Sequence, residues 1–540
     1  MSNQQQSVEL RGPSVVAPAA QPPAAAVTSP SLSLPAYLAR SRTMPLMIAG
    51  AIFAIFLPAV IVPYAFSDDY PILWMAVSGD ANPFFGKNIF DTTASGGRPL
   101  MGLLLQFLYS AAGTIDNLRF VRLVGIAGIV ALALLLHWAL VRSRIKPAPA
   151  ALITLVVCSM PAFQVAASWA VLVGAPYAAL LGGGASVLAV TAIDTPDLTK
   201  DLLVVATLML VVALLIYQPA AMFFWVFLAV ALVGAARESA RPVRVLRTQA
   251  GVGAAALAIA FVLGKLAAHT VHYTTPNTAH SALTHDVAGK VRWFIEHPLY
   301  RSASLFELTP SPWLAAIVAG VAAGGIGLWL LHRGARPLLY LLSASVLIPL
   351  SFLPNLVVNE NNSFVFRTGI ALTSLIALYA CLGLLGLSLL IRDWLQPRIG
   401  VRAFTLAGQL AFGISIASVA AIAFVASRNV TTLVVDPQST ELRVIRSHVA
   451  ALPTSLPRVG FVGLAWDQGM TRWYSDEIGV PSSARPWTPE PAVFLLLREK
   501  GRLDPAGPRP IVDWLPWDTT TLPQDEPVID LRGELQRLGR

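Results

Sequence analysis

Charged side chains are scarce in this sequence. They make up 12% of its 540 residues, while hydrophobic residues make up 55%. Soluble globular proteins carry roughly 25% charged residues, so about half of the usual solvated surface is missing, and contact with lipid explains the difference. The formal charge is +9. However, the Arg and Lys residues lie mostly in short loops between apolar runs, as they do at the inner face of a membrane, and this distribution argues against a nucleic-acid partner.

Cysteine is equally rare. Cys158 and Cys381 both lie inside apolar runs, with neither metal-type nor redox-type spacing, which indicates two small core side chains. Residues 1–43 are rich in Gln, Pro, Ala and Ser and have no periodic apolar face. That composition cannot bury a core, so it predicts a disordered cytoplasmic leader.

Long apolar runs dominate the rest of the chain, and a spanning helix needs about 20 such residues. The first run, 44–66, follows Arg40 and Arg42, which places its start at the cytoplasmic side. The other predicted spans are 118–141, 150–168, 174–193, 202–217, 219–236, 249–268, 313–331, 337–353, 368–391 and 403–427.

The apolar run 99–113 is too short for a typical span, and its placement decides the side of every later loop. If it lies along the outer interface, the basic loops after residues 141, 236, 332 and 391 all face the cytoplasm, as the positive-inside rule requires. We therefore predict an all-α polytopic membrane protein with about eleven transmembrane helices and an interfacial helix in the first outer loop. Its transmembrane domain covers 44–427.

The tail, 428–540, is predicted to be a small α/β extracytoplasmic domain. An amphipathic helix is expected at Glu441–Leu452, and strands are expected at Arg458–Leu464, Ala492–Leu497 and Pro510–Trp514. Five tryptophans fall in the tail. We interpret them as core side chains of this domain, with sugar stacking as the alternative; they are Trp466, Trp473, Trp487, Trp514 and Trp517.

Two adjacent carboxylates, Asp68 and Asp69, follow the first span. They are costly where a helix leaves lipid, because partial desolvation opposes both charges and the charges repel each other. One interpretation is a helix-end stop signal. The other is a catalytic site at headgroup depth, in which one aspartate removes a proton from a substrate hydroxyl and its neighbour orients a ligand.

Several cations and polar groups fall in the same outer loops. Guanidinium groups at this depth either anchor the helices or clamp a ligand phosphate. The candidate substrate-binding residues are Arg98, Asp116, Arg119, Arg122, Tyr217, Gln218, Lys290, Arg292, Glu360 and Arg367.

Histidines suggest a metal site only weakly. His269 and His272 stand at i and i+3, but no carboxylate or cysteine completes a ligand pattern around them. We predict neither a metal nor a cofactor.

The order of these motifs resembles the GT-C class of membrane glycosyltransferases, most of all the Gtr-type O-antigen glucosyltransferases. The resemblance covers most of 44–427, and four features carry it: the acidic pair Asp68-Asp69, the Gly97-Arg98-Pro99-Leu100 segment leading through Asp116 to Arg119 and Arg122, the Tyr217-Gln218 turn, and Phe366-Arg367-Thr368 at a helix start. Aminoarabinose and protein mannosyl transferases have a Lys-Pro-Pro-type segment where this chain has Arg98-Pro99.

This resemblance implies a hexosyltransferase-type enzyme of the bacterial inner membrane, with its N-terminus in the cytoplasm and its C-terminus in the periplasm. Its donor would be a polyprenyl-phosphate-linked sugar and its acceptor a cell-envelope glycan or lipid, such as the O-antigen of lipopolysaccharide. Transfer would invert the anomeric carbon, with Asp68 or Asp69 as general base. The alternatives are a transporter or flippase of a lipid-linked or small solute, and an O-antigen ligase or polymerase.

Overall fold

A computed structural model describes residues 43–538 except 83, 236–240, 272–282, 307, 310, 333–336, 359–364, 399–400, 454–456, 466–477, 504–508 and 524. Helices dominate, because the long apolar runs can satisfy their backbone groups in lipid only by internal hydrogen bonds. The first half contains α1 Thr43–Phe56, α2 Pro58–Ile61, α3 Asp69–Ser78, α4 Ile89–Ser95, α5 Pro99–Ala112, α6 Leu118–Arg142, α7 Pro147–Cys158, α8 Pro161–Ser168, α9 Gly174–Asp194, α10 Thr199–Ala221, α11 Phe223–Ala235 and α12 Arg241–Thr270.

The second half alternates short and long helices and then forms a small sheet. Its elements are α13 Val287–Phe294, α14 Tyr300–Ala303, α15 Pro312–His332, α16 Pro337–Leu350, α17 Leu353–Val357, α18 Ile370–Leu395, α19 Val401–Val430, α20 Asp436–Ala451, β1 Arg458–Val462, α21 Pro489–Glu499, β2 Ile511–Leu515, β3 Val528–Asp530 and α22 Arg532–Leu538.

Within the part of the chain that the structure describes, each of the eleven predicted apolar segments is mainly helical, so the helical character of these segments is confirmed, although residues 62–66 of the first are not helical. Among the described residues, six helices are long and apolar enough to cross a membrane. Helices α7 and α8, which bend by 63° at their junction, make a seventh if they count as one span. The first predicted span is shorter than expected, because α1 ends at Phe56. The total of eleven spans therefore stays a prediction.

Close packing between helices depends on glycine. A Cβ at Gly182 would lie 2.3 Å from the carbonyl oxygen of Ala221, and a Cβ at Gly183 would lie 2.5 Å from the ring of Phe227. Small residues allow helices to approach in this way. The Gly182–Gly184 run is thus a packing surface inside α9, and not the phosphate-binding turn of a nucleotide site.

The predicted turn at Tyr217-Gln218-Pro219 is a break within α10. Tyr217 has φ −156° and ψ 100°, which is extended backbone inside an otherwise helical segment. Pro219 lacks the N–H that would donate to the carbonyl four residues earlier, so the helix is interrupted near this point. The break turns the side chains of Tyr217 and Gln218 towards the first outer loop.

The tail begins on a continuous helical segment. Helix α19 runs through one π-helical turn, Thr431–Val435, directly into α20. The predicted domain boundary at 427/428 therefore lies inside a helix. Beyond it, β1 is the centre of a three-stranded parallel sheet of order β2-β1-β3.

One predicted strand of the tail is wrong. Residues 492–497 lie in helix α21, which has Pro489 in its first turn and Arg498 in its last. A short continuous apolar run does not by itself separate a buried strand from a buried helix, and these two end signals favour the helix. Strand β3 has only three residues and was not predicted.

The tail packs against the first outer loop. The rings of Trp74 and Phe494 lie 5.2 Å apart, and the guanidinium of Arg509 donates to the Asp80 carboxylate, with 3.0 Å between Nη2 and Oδ1. The predicted helix at 441–452 is confirmed as part of α20. Apolar and ionic contacts together bring the tail to the acidic pair.

Candidate active site

The acidic pair lies at the start of α3, directly after a strained turn. Ser67 has φ +48°, a left-handed conformation that non-glycine residues seldom adopt and that concentrates at functional sites. Two hydrogen bonds hold the turn: the Ser67 N–H donates to Oγ of Ser482 at 2.8 Å, and the Phe66 N–H donates to Oδ2 of Asp69 at 3.0 Å. The tail thus contributes directly to the shape of this turn.

Asp69 is fully buried and joins three segments of chain. Its Oδ1 accepts from the Tyr109 hydroxyl at 2.6 Å and from the Val171 N–H at 3.1 Å, while its Oδ2 accepts from Phe66. Burial raises the pKa of Asp69 from 3.8 to about 6, and the nearby Arg122 guanidinium and the hydrogen bonds oppose that rise. Because both oxygens are engaged and none of the residue is exposed, Asp69 holds the site together.

Asp68 points in a different direction from its neighbour and is only partly buried. Its Oδ1 accepts from the indole N–H of Trp487 at 3.0 Å and from the Ser67 hydroxyl at 3.3 Å. Of the two acids, Asp68 alone combines partial exposure with a fixed orientation.

Arg98 is fixed by the broken helix α10. Its Nε donates to Oε1 of Gln218 at 2.9 Å, and Nε2 of Gln218 donates in turn to the Gly97 carbonyl at 2.9 Å. The guanidinium carbon lies 5.0 Å from the ring centroid of Tyr217. Gly97 has φ +73°, which glycine adopts without the steric cost of a Cβ. Residues predicted as separate motifs thus meet here.

Arg367 extends this group of contacts. We call Arg98, Gln218, Tyr217, Arg367 and Trp169 together the wall. Its guanidinium carbon lies 4.9 Å from the Trp169 ring, and its carbonyl accepts from the Tyr217 hydroxyl at 3.2 Å. Trp169 in turn packs on Phe66, with 5.3 Å between ring centroids. An unbroken series of contacts therefore leads from Arg98 through Tyr217 and Arg367 to the residue just before Ser67.

Arg122 lies inside the protein, next to the backbone that precedes the acidic pair. It is 1% exposed, and it donates to the carbonyls of Ala59 at 2.7 Å and Tyr64 at 3.1 Å. Its guanidinium carbon also lies 3.8 Å from the Tyr64 ring. These contacts stabilise the backbone that leads into the acidic turn. Nη2 of Arg122 is buried without a hydrogen-bond partner in the described part of the chain, and a role for Arg122 in substrate binding stays a prediction.

Asp116 and Arg119 are not drawn into the wall. Asp116 forms an ion pair with Arg446 of α20, 2.6 Å apart, and so helps to attach the tail. The guanidinium carbon of Arg119 lies 4.9 Å from the Phe120 ring, and its Nε is buried without a hydrogen-bond partner among the described residues. A role for Arg119 in substrate binding stays a prediction.

Helix α13 and the start of α17 meet near Arg367. Phe294 of α13 stacks on Phe352 at 5.8 Å, and the Asn355 side chain donates to the Thr368 carbonyl at 3.2 Å. Lys290 is 3% exposed, and its Nζ lies 4.1 Å from the Trp293 ring.

Two other predicted substrate-binding residues are Arg292 and Glu360. The Arg292 side chain is 80% exposed and pairs with Glu296 at 3.5 Å, and its role in substrate binding stays a prediction. Glu360 lies outside the described residues.

The contact between Trp487 and Asp68 was not predicted from the sequence. We expected Trp487 in the core of the tail domain, yet it is only partly buried and its indole N–H binds Asp68. The loop that carries it is fixed to α20: the N–H groups of Ser482 and Ser483 donate to Glu441 at 2.8 and 2.9 Å, and the Gln438 side chain donates to the Val480 carbonyl at 2.7 Å. No spacing in the sequence links residue 487 to residue 68.

Metal-ligating side chains do not cluster in the part of the chain that the structure describes: no three His, Cys, Asp or Glu residues come together there. His272 and His280 lie outside that part.

Comparisons with known proteins give similarity in structure only. No protein-family model matches the sequence, and no curated protein matches it either. Among solved structures, ArnT from Cupriavidus metallidurans bound to undecaprenyl phosphate is 13% identical, with a TM-score of 0.43 over 87% of this chain and 89% of that chain. The same protein in the apo state is 14% identical, with a TM-score of 0.40 over 78% and 82%.

The Archaeoglobus fulgidus oligosaccharyltransferase in complex with Zn and sulfate is a third similar structure. It is 13% identical, with a TM-score of 0.39 over 79% of this chain and 60% of that chain. At these identities and TM-scores, the similarities do not assign the chain to a family.

Proposed function

We propose that this chain is a membrane glycosyltransferase of the GT-C type. It takes a sugar from a polyprenyl-phosphate donor and transfers it to a cell-envelope acceptor, with Asp68 as the general base. The observation that carries this proposal is the continuous wall that joins a fixed, partly exposed carboxylate to two fixed guanidinium groups, Arg98 and Arg367. Base and phosphate clamp are the two devices that such a transfer needs.

Trp169 offers a further hydrogen-bond donor beside the two arginines of the phosphate clamp, Arg98 and Arg367. Its indole Nε1 is buried and has no hydrogen-bond partner among the described residues, although the side chain contacts Arg367. A buried N–H without an acceptor is unfavourable. A phosphate oxygen held by Arg367 would satisfy it, which supports placing the donor phosphate on this side of the site.

The reaction follows from this geometry. The acceptor hydroxyl oxygen forms a bond to the anomeric carbon while the bond from that carbon to the phosphate oxygen breaks, and its electron pair stays on the phosphate. Asp68 takes the hydroxyl proton. The arginines stabilise the charge that develops on the polyprenyl phosphate. A single displacement of this kind inverts the anomeric carbon.

The proposed location is the bacterial inner membrane, with the site and the tail on the periplasmic side. The basic loops predicted to face the cytoplasm support this orientation. A lipid-linked donor would keep its tail in the bilayer and its sugar at the outer interface, beside Asp68.

Deletion of the gene tests the proposal. We expect the surface glycan or lipopolysaccharide of the deletion strain to lack one sugar by mass spectrometry, and the wild-type gene to restore it. The lipid-linked sugar should accumulate on the periplasmic side. The same missing sugar, with the lipid-linked form retained on the cytoplasmic side, would instead indicate a flippase. An envelope of unchanged mass would contradict the proposal.

Arg98→Lys tests the phosphate clamp. Lysine keeps the positive charge but loses the Nε–H group that donates to Gln218 and fixes the side chain. The KM for the lipid-linked sugar should therefore rise about tenfold, as expected for one charge-assisted hydrogen bond. The acceptor KM should not change. Arg443→Lys, at an exposed position of α20, is the matched control. An unchanged donor KM in Arg98→Lys would remove this arginine from the clamp.

A further inference from the structure

An aromatic cluster lies beside the acidic turn, on the face formed by the tail. The ring of Trp487 lies 6.0 Å from that of Phe84 and 6.1 Å from that of Phe85, with interplanar angles of 54° and 75°. We call these three residues the aromatic platform. Phe84 is 51% exposed, so the platform is open on one side and is not the core of the tail domain.

Charged groups surround this platform. Asp68 binds the indole N–H, and the Arg485 guanidinium carbon lies 5.2 Å from the centre of the Trp487 ring. A surface that inserts into lipid tails avoids such a density of charge. The open aromatic face is therefore better matched to a water-soluble ligand with both apolar and polar faces.

The platform is also rigid. Glu441 and Gln438 hold the loop that carries Trp487 through hydrogen bonds to Ser482, Ser483 and Val480. The indole ring is fixed by its bond to Asp68, and the exposed ring of Phe84 beside it is available for stacking. A ligand ring stacked on the platform would have its edge next to the Asp68 carboxylate. Aromatic faces combined with a few fixed polar groups are typical of a selective ligand site.

We propose that Phe84, Phe85 and Trp487 form the acceptor subsite and hold a sugar ring of an envelope glycan with one hydroxyl against Asp68. This inference rests on the proposed function and deepens it, because it selects a glycan over a lipid as the acceptor. The C–H face of the sugar packs on the aromatic rings, and the reacting hydroxyl donates to Asp68. Trp487 has a second role as a positioning residue, because its N–H orients the carboxylate.

The experiment uses the full-length protein in detergent, with lipid-linked sugars extracted from the deletion strain as donor. Two acceptors from the same strain are compared: the polysaccharide released by mild acid, and the remaining lipid fraction. The wild-type protein should transfer sugar to the polysaccharide. Phe84→Ala should raise the acceptor KM roughly threefold to tenfold, as expected for the loss of one aromatic contact, with the donor KM unchanged.

Trp487→Phe separates stacking from positioning. It keeps an aromatic ring and removes the N–H donor to Asp68, so kcat should fall more than the acceptor KM rises. Trp514→Phe, at an exposed position of β2 in the same domain, is the matched control and should behave as wild type. If Trp487→Phe fails to fold, Phe84→Ala still decides the question, because a half-exposed ring can be removed without opening a cavity.

The outcomes distinguish the inference from the proposed function. If Asp68→Asn abolishes transfer but Phe84→Ala leaves the acceptor KM unchanged, the acceptor subsite is wrong and the glycosyltransferase stands. Transfer to the lipid fraction alone also overturns the subsite. If the wild-type protein transfers sugar to neither fraction, the proposed function itself fails.

Discussion

Replacing Asp68 with Asn should lower the rate of sugar transfer by about 10²–10⁴-fold, the usual contribution of a general base. Asparagine can still accept the Trp487 N–H bond, so the turn should keep its shape. It cannot take a proton from the acceptor hydroxyl. The amount of protein in the membrane should therefore equal that of wild type, and transfer is measured with the deletion-strain extracts.

The matched control is Asp91→Asn, in helix α4 of the same outer loop. It changes an aspartate that makes no contact with the wall or the platform described above, and it should retain full activity. Full transfer activity in Asp68→Asn would exclude Asp68 as the base.

Asp69 should give the opposite result, a loss of folded protein. Asp69→Ala leaves three donors without their acceptor inside the protein: the Tyr109 hydroxyl and the N–H groups of Phe66 and Val171. Each buried donor left unpaired costs about 1–3 kcal/mol, so the total is about 3 kcal/mol or more. The thermal unfolding temperature in detergent and the yield of monodisperse protein should both fall.

Two further variants calibrate this effect. Asp69→Asn should lose less stability than Asp69→Ala, because the amide oxygen can still accept two of the three bonds. Asp393→Ala, which breaks a surface pair with Arg392, should unfold almost as wild type does. If Asp69→Ala were as stable as wild type yet inactive, Asp69 would belong to the chemistry and our division of roles would be wrong.

The helices could be predicted from the sequence because each apolar run is long and the bilayer imposes helical structure on it. Part of the candidate site was also recognisable in the sequence. Arg98, Gln218 and Arg367 carry polarity into positions where it is costly, and the structure brings them together. Their chemistry as a substrate site stays a prediction.

What the sequence could not supply was the direction of each side chain. Arg122, like Arg98, is an arginine next to an apolar run, yet its side chain donates hydrogen bonds to the carbonyls of Ala59 and Tyr64. Trp487 reaches Asp68 across 419 residues of sequence, and that contact depends on the docking of a whole domain. Such contacts are decided by tertiary packing, which local patterns do not encode.

The π-helical turn at Thr431–Val435 has a consequence for the geometry of the whole site. A π turn accommodates one residue more than an α turn, and each residue rotates a helix by about 100°. Gln438 and Glu441, which accept hydrogen bonds from Ser482, lie just beyond this π turn. If this turn were a regular α-helical turn, both side chains would be rotated away from the loop at Ser482. The helical rotation introduced by the π turn is therefore needed for the contact between Trp487 and Asp68.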